Sequence, residues 1–396
     1  MKPFWLACYV LGFALLGIGQ VLAGTLGEPV MRARDLGIPF DGTPGPLNAI
    51  TDVAGVTVGQ VTLISGSGKL VVGKGPVRTG VTAILPRGEQ SVTQNVFAGW
   101  YAQNGNGEMT GTTWVDESGF LEGPVMITNT HSVGVVRDAV VRWRVAKGEA
   151  DATGAWWSLP VVAETWDGWL NDINGFHVTT AHALEALGKA QGGPVAEGGV
   201  GGGTGMICNG FKGGIGTSSR QVELFGKGYT VGVLVQCNYG TRQNLRIAGI
   251  PVGREIAGLD PYAWVPSDRA ETGSIIVVVA TDAPLLPGQL KRLARRVPLG
   301  LGRNGSISGN GSGDIFIAFS TANPQATQAD ALVSLTMVPN DSLDSLFAAT
   351  VEATEEAIIN ALVAGKDTVG IDGHAVQGLP HQRVREILGR ANRLTH

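Results

Sequence analysis

The step from Gly273 to Ser274 places a hydroxyl nucleophile where a long polar segment meets a buried strand. Cutting the Gly273–Ser274 bond would give Ser274 a free α-amino group, with an ordinary pKa of about 7.7–8.0, that can take the proton from its own hydroxyl. Glycine lacks a Cβ, so the preceding peptide can adopt the strained geometry that self-cleavage needs. On spacing alone, an ordinary loop-to-strand Gly-Ser step is the stronger interpretation.

A second pair of reactive side chains lies in "GNGSGDIFIAF". Side chains alternate along a strand, so Ser312 and Asp314 point to the same face. A hydroxyl beside a carboxylate can orient or relay a proton near a nucleophile. A turn serine followed by a capping aspartate explains the same letters equally well.

The segment "VVAETWDGWLNDING" concentrates acidic and aromatic residues. Glu164 and Asp167 alternate there with Trp166 and Trp169. A carboxylate against aromatic walls suits the ammonium group of a substrate. The alternative is a loop with turn acids and partly buried tryptophans.

Other kinds of site are poorly supported. The stretch Ser65–Lys69 lacks the spacing of a phosphate loop, and the glycines of Gly198–Gly205 lack the acidic residue that follows a dinucleotide loop. His177 and His182 are the one histidine pair near metal-ligand spacing, and ordinary histidines explain them better. We therefore predict no cofactor and no metal.

Composition restricts the class of protein further. The chain has 396 residues, of which 43% are hydrophobic and 60 are glycine, with a formal net charge of −4. This apolar content suits a large packed core with many tight turns. Without a block of basic residues, we predict no nucleic-acid partner.

The N-terminus has the pattern of an export signal. Lys2 precedes an apolar run from Phe4 to Val21, and Val21-Leu22-Ala23 fits a cleavage site. We predict a signal peptide over residues 1–23, a periplasmic or secreted mature chain, and no membrane contact after signal removal. An uncleaved membrane anchor is the alternative.

Two cysteines, Cys208 and Cys237, remain in the mature chain. They could pair in an oxidising compartment, but two cysteines make no framework. Both lie in apolar or glycine-rich sequence, so we predict two buried free thiols.

Buried strands and amphipathic helices must position these residues. Apolar runs predict strands, and apolar residues spaced at three and four predict helices. Residues 192–219 are so rich in glycine that we predict a loop system. Strands that are apolar on both faces, with helices around them, predict a layered α/β fold. The predicted strands are Val53–Val61, Gly80–Leu85, Val125–Asn129, Tyr229–Asn238, Gly273–Asp282 and Gly313–Thr321, and the predicted helices are a segment ending at Gly148, Leu286–Val297, Ser342–Val363 and Pro380–Arg393.

Taken together, these segments resemble the DmpA-type aminopeptidases, a family that includes the β-aminopeptidases. The resemblance extends from about Gly37 to the C-terminal helices. It is carried by "GPVMITNTHSVG", "VVAETWDG", "LNDINGFH", "GGVGGGTGMICNGFKGGIGTSSR", "VQCNYG", "GSIIVVVATDAPL", "LKRLARR" and "GRNGSISGNGSGDIFIAFSTAN".

The resemblance implies a four-layer αββα sandwich, similar to N-terminal nucleophile hydrolases but with different strand connectivity. It implies self-cleavage before Ser274 into an α chain, residues 24–273, and a β chain, residues 274–396, both within one domain. It also implies homo-oligomers of αβ units that release N-terminal L-, D- or β-amino acids from peptides, amides or esters through an acyl-enzyme.

The same resemblance assigns roles to individual residues. Ser274 matches the nucleophile, and Ser312 with Asp314 matches the polar pair beside it. Asn238 matches the amide of the oxyanion hole, and Glu164 matches the acid that receives the substrate amino group. Trp166 lies where a tyrosine is expected in at least one member, which implies a reshaped substrate pocket.

Two other functions remain open. A self-processing acyltransferase or aminolysis catalyst would pass the acyl group to an amine instead of water. A non-catalytic binding protein of the same fold would keep the chain uncut.

Overall fold

The computed structural model describes residue 1 and residues 31–148, 157–258, 260–261, 272–328 and 330–395. The signal peptide predicted for residues 1–23 lies outside these ranges, apart from residue 1, as does much of the polar segment before Gly273. In the described part of the chain, no helix is long and apolar enough to cross a membrane.

Strands dominate the first two thirds of the described chain, and helices become frequent towards its C-terminus. The strands are β1 Thr57–Ser65, β2 Val77–Glu89, β3 Val96–Ala102, β4 Phe120–Leu121, β5 Val125–Asn129, β6 Val161–Thr165, β7 Ile207–Cys208, β8 Phe211–Lys212, β9 Gly214–Leu224, β10 Lys227–Asn238, β11 Thr272–Thr281, β12 Gly311–Ser320, β13 Thr368–Val369 and β14 Ala375–Val376. The helices are α1 Thr112–Ser118, α2 Val133–Lys147, α3 Thr180–Gly188, α4 Val252–Glu255, α5 Pro287–Ala294, α6 Val297–Arg303, α7 Asp344–Val363 and α8 His381–Arg390.

The larger sheet has six strands in the order β4-β3-β12-β11-β10-β9. Its central strands are apolar on both faces because both faces are covered. In β11, Ile275 and Val277 face a core formed with α5, α7 and α8, whereas Ile276 and Val278 face the second sheet. The continuous apolar run of this strand is therefore explained by burial on two sides.

The smaller sheet has the order β1-β2-β5-β6. One face packs on the larger sheet through residues such as Ile84 and Ile127. Its other face packs on α2 and α3, where Val136 and Ala183 are buried. Helices, two sheets and helices again form four layers, so the predicted αββα architecture is confirmed.

The predicted elements are present with shifted ends. Val125–Asn129 has the predicted bounds, and α2 ends at the predicted Gly148, whose N–H donates to the Arg144 carbonyl oxygen at 2.6 Å. β1 begins later than predicted, and the helix predicted over Leu286–Val297 ends at Ala294. Strands β3, β4, β6, β7, β8, β13 and β14 and helices α1, α3, α4 and α6 were not predicted.

The loop system predicted for residues 192–219 is wrong at its C-terminal end, because β9 begins at Gly214. The glycines of this strand allow close packing and do not indicate an irregular loop. A Cβ on Gly216 would lie 2.0 Å from the Ala357 carbonyl oxygen of α7. The helix backbone can approach β9 closely only because this position has no side chain.

The prediction of two free thiols is also wrong. Cys208 and Cys237 form a disulfide, with their Cα atoms 5.6 Å apart. Both cysteines are buried, as predicted, but the short strand β7 returns to lie beside the end of β10, which brings the two sulfur atoms together. The sequence did not reveal that these two buried segments are neighbours.

Candidate active site

A cleft of about 690 Å³ brings together the residues that the sequence analysis singled out at Glu164, Trp166, Asn238, Gly273 and Ser274. The smaller sheet contributes Glu164, at the end of β6, and the larger sheet contributes Asn238 and Ser274. The other lining residues are Gly105, Asn106, Gly107, Glu108, Thr130 and Gly311.

Ser274 lies on β11 between two partners. It is opposite Asn238 on the antiparallel strand β10 and opposite Gly313 on the parallel strand β12. Paired residues of neighbouring strands present their side chains on the same face of a sheet. The Ser274 hydroxyl and the Asn238 amide therefore lie side by side, and Gly313 leaves the third position without a side chain.

Gly273 has a φ of +132°, a backbone conformation that other L-residues rarely adopt. A Cβ at this position would lie 2.3 Å from the Asn238 carbonyl oxygen. Two independent constraints, torsion and space, thus require glycine immediately before Ser274. The peptide bond between them is held in a geometry that the β10 backbone helps to impose.

The side chain of Asn238 is fixed at both ends. Its Nδ2 donates to the Trp166 carbonyl oxygen at 2.9 Å, and its Oδ1 accepts from the Ile207 backbone N–H at 2.8 Å. These bonds define which atom of the amide is nitrogen. One Nδ2 hydrogen is used by Trp166, and an amide has two. The second can therefore serve an oxygen atom bound in the cleft next to Ser274.

Ser312 and Asp314 point to the same face of β12, as predicted, and the Ser312 hydroxyl donates to Asp314 Oδ1 at 2.5 Å. Both side chains are fully buried. The strand register pairs Ser312 with Gly273 and Asp314 with Ile275, so the two side chains lie on the opposite face from Ser274. They flank the Gly273–Ser274 bond from that face and are not among the residues that line the cleft.

Glu164 is a buried carboxylate at the other side of the cleft, with only 3% of its surface exposed. The Thr130 hydroxyl donates to its Oε2, and the Glu108 backbone N–H donates to its Oε1 at 3.0 Å. Burial raises the pKa of Glu164, and these two hydrogen bonds oppose the rise. A desolvated carboxylate facing a cleft is a good partner for a cationic group.

Trp166 forms a half-exposed wall of the same cleft. Its indole lies over Gly168, where a Cβ would be 2.5 Å from the ring. The backbone oxygen of Trp166 accepts the Asn238 amide, so this residue connects the wall of the cleft with the amide beside Ser274.

The predicted acidic and aromatic cluster is only half present. Asp167 is fully buried away from the cleft, accepts a bond from Asn171 Nδ2 at 3.0 Å, and has its pKa raised to about 6 by burial. Trp169 stacks on the His374 ring with centroids 3.9 Å apart. β6 ends at Thr165, so Asp167 and Trp169 lie in the loop that follows and their side chains are directed away from the cleft.

Several cleft residues were missed from the sequence. Thr130 and the backbone of Glu108 hold Glu164, and Ile207 holds Asn238. The glycine-rich letters "NGNGE" at residues 104–108 were a usable signal for a loop that crosses a strand closely. A Cβ on Gly313 would lie 2.3 Å from the Asn106 carbonyl oxygen of that loop.

Comparisons with known proteins identify the family of this chain. A family model described as peptidase family S58 matches residues 48–376. The chain belongs to peptidase family S58. A beta-peptidyl aminopeptidase of Sphingosinicella microcystinivorans is 56% identical over 400 residues, covering 98% of this chain and 99% of that protein. A beta-peptidyl aminopeptidase of Sphingosinicella xenopeptidilytica is 48% identical over 379 residues, covering 93% of each.

Solved structures extend this similarity to the fold. An L-aminopeptidase D-Ala-esterase/amidase from Ochrobactrum anthropi, described as a new variant among the Ntn hydrolase fold, has a TM-score of 0.86 and 49% identity, covering 92% of this chain and 99% of that chain. A beta-aminopeptidase of Burkholderia sp. has a TM-score of 0.82 and 49% identity, covering 91% and 99%. This S58 chain is an aminopeptidase with an Ntn-type hydrolase fold, so the predicted family and enzyme class are confirmed.

Proposed function

We propose that this S58 aminopeptidase cuts its own Gly273–Ser274 bond and uses the freed Ser274 as its nucleophile. The observation that carries the proposal is the position of Ser274. It follows a glycine held at a φ of +132° and lies opposite Asn238, in the cleft that also contains the buried Glu164.

Self-cleavage would proceed through an ester. The Ser274 hydroxyl attacks the Gly273 carbonyl carbon, the peptide C–N bond breaks, and the proton of the hydroxyl passes to the departing nitrogen. Water then hydrolyses the ester, leaving a carboxylate on Gly273 and an α-amino group on Ser274. The hydrogen-bonded pair Ser312 and Asp314 flanks this bond in the strand register and supports a role in moving the proton.

In the mature enzyme, the substrate ammonium group would bind Glu164, and Trp166 would form the wall beside it. The Ser274 hydroxyl attacks the scissile carbonyl carbon while the Ser274 α-amine takes its proton and returns it to the leaving amine. The free Nδ2 hydrogen of Asn238 would stabilise the oxyanion, a contribution of about 3–4 kcal/mol for one such donor. Water then attacks the acyl-enzyme and releases the amino acid.

We further propose peptides and amides with an N-terminal β-amino acid as preferred substrates. Two relatives at 56% and 48% identity are named beta-peptidyl aminopeptidases, and one at 49% is named an L-aminopeptidase D-Ala-esterase/amidase. The relative at 56% identity favours the β-amino acid class among these. Lys2 and the apolar run Phe4–Val21 support export of the chain, and the family resemblance supports assembly into homo-oligomers of αβ units.

The test compares Ser274→Ala with the matched variant Ser274→Cys. We expect Ser274→Ala to remain one chain with no amidase activity, and Ser274→Cys, which keeps a nucleophile, to be cut at residue 273. Hydrolysis of β-alanine p-nitroanilide faster than L- or D-alanine p-nitroanilide by the wild type would support the substrate class. An active Ser274→Ala variant would overturn the proposed nucleophile.

A further inference from the structure

Lys212 is a fully buried lysine outside the cleft. Its Nζ donates three hydrogen bonds, to the carbonyl oxygens of Gly203 at 3.1 Å, Met206 at 2.9 Å and Gly213 at 2.7 Å. Among the described residues it has no carboxylate partner, and burial lowers its pKa to about 7. Keeping an unpaired ammonium in the interior is costly, so three convergent carbonyls indicate a specific structural task.

The three carbonyl groups belong to the segment that also forms a hydrogen bond with the Asn238 side chain. Lys212 pairs with Ile207 in the β7–β8 ladder, and the Ile207 N–H donates to Asn238 Oδ1 at 2.8 Å. Met206 directly precedes Ile207, and the Gly213 N–H donates to the Met206 oxygen at 3.0 Å. The ammonium group is therefore hydrogen-bonded to the residues at both ends of the β7–β8 hairpin, which carries the Ile207 N–H.

The lysine also anchors this hairpin from outside. Its backbone N–H donates to the Gln377 carbonyl oxygen at 2.7 Å. A Cβ on Gly365 would lie 2.2 Å from the Lys212 oxygen, and one on Gly199 would lie 3.4 Å from Nζ. A side chain at position 365 would therefore collide with the Lys212 backbone, whereas a Cβ at position 199 would make only an ordinary van der Waals contact with the ammonium group.

We propose that Lys212 is a positioning residue for catalysis. Its ammonium group fixes the glycine-rich segment 203–213, so that the Ile207 N–H holds the Asn238 amide with its free hydrogen directed at the oxyanion next to Ser274. This inference rests on the oxyanion role proposed above for Asn238. Lys212 itself touches no substrate.

The experiment is a double-mutant cycle on kcat and KM, using Lys212→Met, Asn238→Ala and the double variant. Lys212→Met removes all three donors and shortens the unbranched side chain by one atom. We expect kcat to fall about 10–100-fold, less than the about 100- to 1,000-fold loss when an oxyanion donor is removed outright, because Asn238 is displaced and not deleted. KM should change less than about twofold because Glu164 and Trp166 are untouched. In the Asn238→Ala background the same change should lower kcat less than about threefold, because coupled residues are not additive.

Two further variants keep the test decisive. Lys212→Gln retains two N–H donors, so its kcat should be at least about threefold higher than that of Lys212→Met. If Lys212→Met does not fold, Lys212→Gln takes its place in the cycle. Lys189→Met is the control, because Lys189 is a half-exposed lysine paired with Glu185. It should behave as the wild type.

The outcomes separate the two proposals. An unchanged kcat for Asn238→Ala would refute the oxyanion role, whatever Lys212 does. A lowered kcat for Asn238→Ala, with Lys212→Met causing the same fold-loss in both backgrounds, would overturn the positioning role alone. A change confined to KM, or equal kcat for the Met and Gln variants, would also overturn it.

Discussion

Replacing Glu164 by glutamine tests the proposed ammonium site with little change in shape. Glutamine keeps an Oε1 that can accept from the Glu108 N–H, and the Thr130 hydroxyl can rotate to accept from the new amide. What is lost is the negative charge of a side chain that is 3% exposed. Breaking a buried charge pair costs about 2–5 kcal/mol, and 1.4 kcal/mol corresponds to a tenfold change. The expected fall in kcat/KM is therefore about 30-fold to about 4,000-fold.

Most of this loss should be in KM, because the ammonium group is bound both in the ground state and in the transition state. Burial raises the pKa of Glu164 above its usual value of 4.5, so the carboxylate takes up its proton as the pH falls through that raised pKa. KM of the wild type should rise over this acidic range, and KM of Glu164→Gln should not.

The thermal stability of Glu164→Gln should not fall with its activity. A carboxyl whose folded pKa is raised disfavours folding when it is ionised, so at neutral pH Glu164 costs stability. Glu164→Gln should therefore have an unchanged or higher Tm while it loses activity. The control is Glu108→Gln, an exposed carboxylate at the same cleft, with KM within threefold of the wild type. A Glu164→Gln enzyme with a normal KM would refute the ammonium site, and a lowered Tm would show that the substitution acts through the fold and not through the lost charge.

Three further changes probe the scaffold. Gly273→Ala should abolish self-cleavage on a gel, because its Cβ would lie 2.3 Å from the Asn238 oxygen; rapid cleavage would contradict this. Gly216→Ala should lower the free energy of unfolding by about 2–3 kcal/mol in urea, since α7 leaves no room for a methyl group; an unchanged urea midpoint would contradict it. Cys208→Ser should cost roughly 3–4 kcal/mol for a separation of 29 residues and remove the sensitivity of the urea midpoint to dithiothreitol, which the wild type should show.

The central strands could be predicted because their sequence carries a strong local signal. The β-branched run around Val277 leaves few alternatives to a strand buried on both faces, and β11 is found there. The first half of β9, residues 214–219, was predicted as loop because glycine is a poor strand former in general. Glycine is needed in this strand because helix α7 packs closely against it. A tertiary contact of this kind cannot be recognised from the local sequence pattern.

The candidate site was partly predictable for a similar reason. Ser312 and Asp314 share a face because strand alternation is local, and their hydrogen bond follows from it. That they lie on the opposite face from Ser274 depends on the register between β11 and β12, which no local pattern specifies. The Cys208–Cys237 disulfide was missed because it depends on how a short hairpin returns to β10.

The position of Lys212 illustrates the limit of reading single residues. In sequence it is one basic letter within a glycine-rich stretch, where a lysine is ordinarily exposed. Only the folded chain brings the three carbonyl oxygens around its Nζ and pairs it with Ile207. Lys212 is connected to Asn238 through backbone hydrogen bonds, which cannot be inferred from the residue types in the sequence.

The attacking group that we propose is the hydroxyl of an N-terminal Ser274. The most direct measurement mixes purified enzyme with excess β-alanine p-nitrophenyl ester, quenches in acid within the first turnover, and weighs the separated chains by mass spectrometry. We expect a fragment that begins at Ser274 and carries one aminoacyl group on that residue. An adduct on another residue, or on a chain still joined at Gly273–Ser274 while substrate is hydrolysed, would contradict it.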